Sequence, residues 1–267
     1  VYCKLHPLQF PWTIYIAEQP VTVHAICEAV AVFTAFRYYL YLKKKQRDTL
    51  TPNRRLAIVI AAALGAVLGG RLLGAAEDIP TWMAATAPWQ YFFYNKTMVG
   101  GLLGGLMGVE LVKKLMGERQ HSGDLFVYPL IVGICIGRVG CFSAGVYEEA
   151  YGLPTTLPWG MDLGDGLSRH PVTLYEIGFL ILLAGALKTL QRRYILKQGA
   201  LFKLFMIAYL AFRLGLDVIK PGWRYMAGMG SIQLACIAGL LYYTRYILQP
   251  QLLINNTDNA GKKIHLL

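Results

Sequence analysis

Residues 21–47 read VTVHAICEAVAVFTAFRYYLYLKKKQR: an apolar run from Val21 to Leu42, closed by Lys43, Lys44, Lys45 and Arg47. A hydrocarbon core takes about 20 residues of helix to cross, and this run supplies that length before its charges begin. Six further apolar stretches follow, near 56–76, 98–116, 125–146, 171–190, 200–219 and 228–247. Composition agrees with the pattern. Of 267 residues, 55% are hydrophobic and only 15% charged, against about 25% charged in a typical soluble domain. The expected fold class is an all-α polytopic membrane protein of seven transmembrane helices.

A formal charge of +11 invites a nucleic-acid reading, and position decides against it. The basic residues concentrate in alternate connections: Lys43 to Arg47 with Arg54 and Arg55, then Lys113, Lys114 and Arg119, then Lys188, Arg192, Arg193 and Lys197, then Arg245, Lys262 and Lys263. The intervening segments hold only Lys4, Lys96, Arg169, Lys220 and Arg224. By the positive-inside rule the first set is cytoplasmic, which puts the N-terminus outside and the C-terminus in the cytoplasm. No nucleic-acid partner is expected.

Domain organisation follows from the same threading. Residues 1–247 read as one seven-helix transmembrane domain with outer-face segments near 1–20, 77–97 and 147–170, and residues 248–267 as a mobile cytoplasmic tail. The N-terminal residues lack the basic, apolar, then small pattern of a cleavable signal peptide, so the first helix is expected to act as its own insertion signal. The halves show no internal repeat, which lowers a transporter reading. The five cysteines, at 3, 27, 135, 141 and 236, have no metal-site or redox spacing. Cys27, Cys135 and Cys236 read as small apolar residues, and the role of Cys141 stays open. Gly65, Gly69, Gly70, Gly100, Gly101, Gly104, Gly105 and Gly108 read mostly as close helix packing.

Ionisable residues left inside apolar segments carry the functional signal, because a charge at membrane depth persists when paired, hydrated or used. Arg37 and Glu110 lie toward the cytoplasmic side and read as snorkelling or structural pairs. His24, Glu28, Arg71, Arg138, Glu176, Arg213 and Asp217 all fall toward the outer ends of their helices. Tyr209, Arg213 and Asp217 share one helical stripe, so Asp217 is placed to steady Arg213. His24 and Glu28 are likewise one turn apart, either a satisfied polar pair or a carboxylate-assisted base. Arg138 stands between glycines in Gly137-Arg138-Val139-Gly140-Cys141-Phe142, reachable by a headgroup or paired at a tight crossing. Two arginine forks at one level suit a phosphate, which points to a phospholipid.

That hexapeptide, the run from Tyr151 through Gly152, Pro154, Leu157 and Trp159 to Met161, and Arg169-His170-Pro171-Val172-Thr173-Leu174-Tyr175-Glu176 resemble prolipoprotein diacylglyceryl transferases, whose pattern is close to GRxGNF, YGxPTxLPWG and RHPxQLYE. The stripe Tyr209, Arg213, Asp217 and the late Gln233 are similar to the same family's motifs. The resemblance covers about 64–233 and implies transfer of the diacylglyceryl group of phosphatidylglycerol to a lipobox cysteine thiol, with release of glycerol phosphate. It implies no metal or organic cofactor, and a bacterial inner-membrane location with the active site toward the outer leaflet. We expect a monomer.

The chain departs from the pattern at several points. FHGG becomes Met98-Val99-Gly100-Gly101, so the family's histidine is a valine. The asparagine of GRxGNF is Cys141, the glutamine of RHPxQLYE is Thr173, and the NGE carboxylate is assigned across an insertion to Glu149. The phosphate-facing arginines remain while acceptor-activating residues change, so the acceptor is read as the lipobox cysteine or another acceptor. Catalytic candidates are Arg138, Arg213, His24, Glu28 and Tyr209, with His24 as the proton acceptor in place of the missing histidine. Substrate-binding candidates are Arg71, Gly100, Gly101, Cys141, Glu149, His170, Tyr175, Glu176, Asp217 and Gln233. The alternative is a non-catalytic phospholipid-binding or lipid-translocating membrane protein.

Overall fold

The computed structural model describes residues 10–16, 18–45 and 50–255. Cys3, Lys4, Gln46, Arg47, Lys262, Lys263 and the tail beyond residue 255 lie outside the described residues. Two strands, β1 (Thr13–Ile16) and β2 (Gln19–Thr22), pair antiparallel and lead into α1 (Val23–Lys45). Then come α2 (Pro52–Ala75), two short helices α3 (Ile79–Ala84) and α4 (Pro88–Tyr94), α5 (Met98–Leu115) and α6 (Val127–Ala144). A two-residue ladder, β3 (Met161–Asp162) with β4 (Ser168–Arg169), precedes α7 (Val172–Arg193), α8 (Ala200–Leu216), α9 (Ser231–Tyr242) and α10 (Thr244–Leu248).

The fold is thus mostly helical with little sheet. Among the described residues, four helices are long and apolar enough to cross a membrane: Val23–Lys45, Pro52–Ala75, Asp124–Tyr147, which is α6 with its flanking turns, and Val172–Arg193. The other three apolar stretches give shorter or more charged helices. Met98–Leu115 carries Glu110, Lys113 and Lys114, Ala200–Leu216 has 17 residues and carries Lys203 and Arg213, and Ser231–Tyr242 has 12 residues. The last stretch, read as one run over 228–247, starts late because Gly228 has φ +71° and breaks at Tyr243.

Small residues set the helix pairs. The α2 and α5 backbones meet so closely that a Cβ on Gly69 would lie 2.4 Å from the Gly100 carbonyl oxygen, the approach that only small residues allow. α1 crosses α6 at Gly140, where a Cβ would lie 2.8 Å from Cys27 Cβ, and Tyr39 stacks on Phe126 at 4.7 Å further along. Phe179 of α7 stacks on Phe212 of α8 at 4.0 Å. Val99, Val127, Leu180, Phe205, Met206, Leu210 and Cys236 fill the centre. Val32, Phe33, Leu64, Leu182 and Leu241 are exposed, an apolar exterior that suits lipid.

Loops at the motif-bearing end are firmly tied. Gly145, at φ +62°, turns the chain out of α6 so tightly that a Cβ would lie 2.2 Å from the Leu163 carbonyl oxygen. The Trp12 amide bonds to Ser143 at 2.8 Å, and Phe10 and Trp12 meet the ring of Phe142 edge-on. At the other end, the stretch expected to be mobile is anchored in its first part. The Lys197 amide donates to Leu253 at 2.9 Å and the Asn255 amide to Ile195 at 2.9 Å, and Leu253 is buried. Leucine burial, invisible to a composition reading, accounts for that difference.

Candidate active site

Glu176, 1% exposed in the first turns of α7, is the hub. The Tyr209 hydroxyl donates to its Oε1 at 2.6 Å and Arg213 Nη1 donates to its Oε2 at 2.9 Å. Arg138 Nε lies 2.9 Å from the same Oε2. Three helices thereby converge: α6 supplies Arg138, α7 Glu176, α8 Tyr209 and Arg213. Burying charge away from water is costly unless it is paired, and here two guanidinium groups share one carboxylate. One positive charge is left over. Among the described residues Arg213 Nε has no acceptor, so the cluster keeps a donor for an anion.

Arg138 also faces a second group. Its Nη1 lies 3.8 Å from Cys141 Sγ, one turn along α6. His24 of α1 stands near enough to Cys141 for the two to interact electrostatically. His24 Nε2 lies 3.6 Å from Glu28 and 3.5 Å from Glu148, and Glu28 contacts Lys96. The close crossing at Gly140 brings α1 this near, since a Cβ there would lie 3.2 Å from the His24 carbonyl oxygen.

Several expectations change in detail. Arg213 takes Glu176 as its partner, and Asp217 lies 3.6 Å from Arg224 instead. The carboxylate after the insertion that reaches the site is Glu148, while Glu149 is exposed. Gly100 serves helix packing, since a Cβ there would sit 2.3 Å from the Gly69 carbonyl oxygen. Gly101 has ordinary room, with Ala66 O at 3.6 Å. Gln233 Oε1 accepts from Arg224 at 2.9 Å and from the Gly230 amide at 2.9 Å, which caps α9. His170 Nδ1 is 3.3 Å from the Tyr175 hydroxyl, and its backbone lies across Gly152. Arg71 is half-buried and joins no ion pair among the described residues.

Sequence reasoning missed Glu148, Arg224 and Trp159. Trp159 Nε1 donates to Tyr175 at 2.8 Å, and both line an apolar groove of about 630 Å³ with Pro158, Met161, Pro171 and Leu174. Neither arginine lines that groove. Glu77 and Lys220, just beyond α2 and α8, also interact electrostatically. Burial pushes the Glu77 carboxyl above its usual range, with Lys220 opposing that. Burial, helped by the charge of Arg213, holds the Lys220 ammonium below its own.

The family model for prolipoprotein diacylglyceryl transferase matches residues 11–248. Similar curated proteins carry the name phosphatidylglycerol–prolipoprotein diacylglyceryl transferase. The one from Nitratidesulfovibrio vulgaris is 33% identical over 72% of this chain and 76% of its own length. That from Bordetella avium is 32% identical over 77% and 81%. For the Bordetella parapertussis protein, 35% identical, the match spans 58% of this chain and only 61% of the relative.

Proposed function

The chain belongs to the prolipoprotein diacylglyceryl transferase family, and from that premise we propose that it transfers the diacylglyceryl group of phosphatidylglycerol to a cysteine thiol. The relatives' names favour a prolipoprotein as the acceptor. The single observation that carries the chemistry is the buried excess of positive charge at Arg138 and Arg213.

In this reading the acceptor thiol attacks the glyceryl carbon, a C–S bond forms as the C–O bond breaks, and glycerol phosphate leaves. Arg138 and Arg213 meet the phosphate charge as it develops, in a site where water does not compete. Glu176 fixes the direction of both guanidinium groups, and Tyr209, bonded to Glu176, is a positioning residue. His24 takes the thiol proton, oriented by Glu28 and Glu148. The groove at Trp159 and Tyr175 suits an acyl chain or the apolar part of the acceptor.

The same proposal includes seven membrane crossings over 1–247 with the N-terminus outside, the motif end at the outer leaflet of a bacterial inner membrane, a cytoplasmic C-terminal segment from 248, and action as a monomer. Alternation of the basic loops supports it. The test is incubation of the purified chain with phosphatidylglycerol vesicles and a lipobox peptide. Lipidated peptide and an equal amount of glycerol phosphate are expected. Lipid binding with neither product would establish the non-catalytic reading instead.

A further inference from the structure

At the end of the bundle opposite the Glu176 cluster, a pocket of about 330 Å³ opens where α8 begins. Lys203 in the first turn of α8 and Arg213 in its last stand about 15 Å apart along the helix axis, so this cavity is separate from the candidate active site. His121, Lys197, Lys203 and Arg245 line it, and no Asp or Glu does. The pocket is held by contacts of its own. The Lys197 amide donates to the Leu253 carbonyl at 2.9 Å, which ties the segment after α10 to the turn before α8. A Cβ on Gly199, at φ +80°, would lie 2.8 Å from His121 Cγ, so the imidazole rests against the start of α8. Lys203 Nζ sits 4.1 Å from the centre of the Tyr246 ring, a contact that holds an ammonium without neutralising it.

Positive charge in this pocket is not cancelled. Asp124, the carboxylate that His121 and Lys203 feel, is committed to the amides of Gly199 and Phe202 at 2.6 and 2.9 Å. Partial burial, then the charges of Lys203 and Lys113, hold the His121 pKa below its ordinary 6.5. Topology alone does not require the arrangement. The positive-inside rule needs basic residues near a helix end, as Lys188 and Arg192 supply on the exposed end of α7, and not their convergence on one cavity. Ile195, Ile247 and Leu248, close to the lining residues in the chain, are exposed, which suits acyl chains beside a headgroup. We propose that this pocket binds the phosphate headgroup of an anionic phospholipid, with Lys197, Lys203 and Arg245 on the phosphate oxygens and the acyl chains along Ile195, Ile247 and Leu248. Basic pockets between membrane helices take anionic headgroups, and ammonium and guanidinium groups make their strongest hydrogen bonds to such oxygens. The site stands apart from the transfer chemistry proposed above.

The experiment titrates the purified full-length chain in detergent with short-chain phosphatidic acid, which lacks the glycerol headgroup of the proposed donor, and separately with inorganic phosphate. Bound ligand is counted by native mass spectrometry. Lys197→Gln/Arg245→Gln changes two exposed side chains, so the fold is kept, and it is expected to weaken one bound phosphatidic acid at least about tenfold. Lys203→Gln should weaken the same lipid, and Lys203→Arg should retain it. Lys188→Gln/Arg192→Gln removes equal charge at the same end and should leave binding nearly unchanged, because exposed charges outside the pocket are screened. Equal losses in the two double variants would reduce the pocket to ordinary basic surface and overturn the site. Wild-type affinity in Lys197→Gln/Arg245→Gln would overturn it as well. Saturation by inorganic phosphate with no retention of phosphatidic acid would replace the lipid by a soluble phosphate as occupant and sink the proposal. Glycerol phosphate release from phosphatidylglycerol vesicles by Lys197→Gln/Arg245→Gln, expected at the wild-type rate, reads the donor chemistry separately, so the two can fail independently.

Discussion

The two ends of the helix bundle both hold charge out of water, and they satisfy it by different means. Where α2 begins and α8 starts, charges are tied to backbone or to one partner. Asp124 accepts from the amides of Gly199 and Phe202 at 2.6 and 2.9 Å, Arg55 donates to the Ser122 carbonyl at 3.4 Å, and Arg54 pairs with Glu118 at 2.8 Å. At the motif end, Glu176, Arg138, Arg213 and Tyr209 satisfy one another, side chain to side chain, across three helices. A charge anchored on backbone locks a loop and has little capacity to spare. A side-chain cluster with two cations and one carboxylate keeps donors available for a ligand, so the means of satisfaction separates folding work from chemistry.

The largest expected effect breaks the motif end at its hub. Glu176→Gln leaves two buried guanidinium groups without a carboxylate, and losing one partner of a buried pair costs about 3–5 kcal/mol. Thermal unfolding in one detergent should show a far lower midpoint than for Arg54→Gln, which removes the half-exposed arginine of a single pair in a place where solvent screening leaves ion pairs worth little. Equal midpoints would mean that the cluster is not what holds α6, α7 and α8 together at that end.

A smaller change sharpens the contrast in activity. Arg213→Lys keeps the charge but loses the planar fork. Losing one charge-assisted hydrogen bond in the transition state, about 1.5–3 kcal/mol, lowers glycerol phosphate release by roughly ten- to hundredfold. Arg54→Lys, at the other end, should release glycerol phosphate at the wild-type rate. A fully active Arg213→Lys protein would sink the phosphate clamp.

These contrasts also mark where the sequence stops being legible. Apolar runs and basic loops give the helices almost to their ends, because burial in lipid depends on composition, which a sequence displays. The ionisable residues at the motif end were legible as a set for the same reason. Their partners were not. Spacing of four offered Asp217 to Arg213, since neighbours along a helix are the only contacts a single sequence exhibits, whereas the structure pairs Arg213 with Glu176 of another helix. Glu148 and Glu149 are adjacent and chemically alike, and only the exit angle of the chain after Gly145 decides that Glu148 faces His24. Asp124 carries no signal in the sequence, although it caps the distant helix α8.

That cap supplies the next prediction. Asp124→Ala leaves the amides of Gly199 and Phe202 without their acceptor, and losing a helix cap of this kind costs about 0.5–2 kcal/mol. The unfolding midpoint should fall while glycerol phosphate release by the folded protein stays unchanged. A selective loss of activity would show that the two ends are coupled, contrary to the division drawn above.

The smallest effect is in pH dependence, where the two ends should slope in opposite directions. At the motif end, burial raises the Glu77 pKa above its ordinary 4.5, so the folded state holds that proton more tightly than the unfolded chain does. Its contribution to stability is fully present below pH 4.5 and is lost as pH rises through the raised value. At the basic end, partial burial together with Lys203 and Lys113 lowers the His121 pKa from 6.5. The unfolded chain then binds the proton more readily. The His121 contribution is present above pH 6.5 and is lost as pH falls through the depressed value. Unfolding midpoints measured from pH 5 to 8 should therefore lose their decline toward high pH in Glu77→Gln and their decline toward low pH in His121→Gln. His121 is exposed on its loop, so solvent screening makes its effect the weaker of the two. Were both variants to keep the wild-type slopes, neither end would couple its stability to these protons, and the charge contrast would rest on the ion-paired cluster alone.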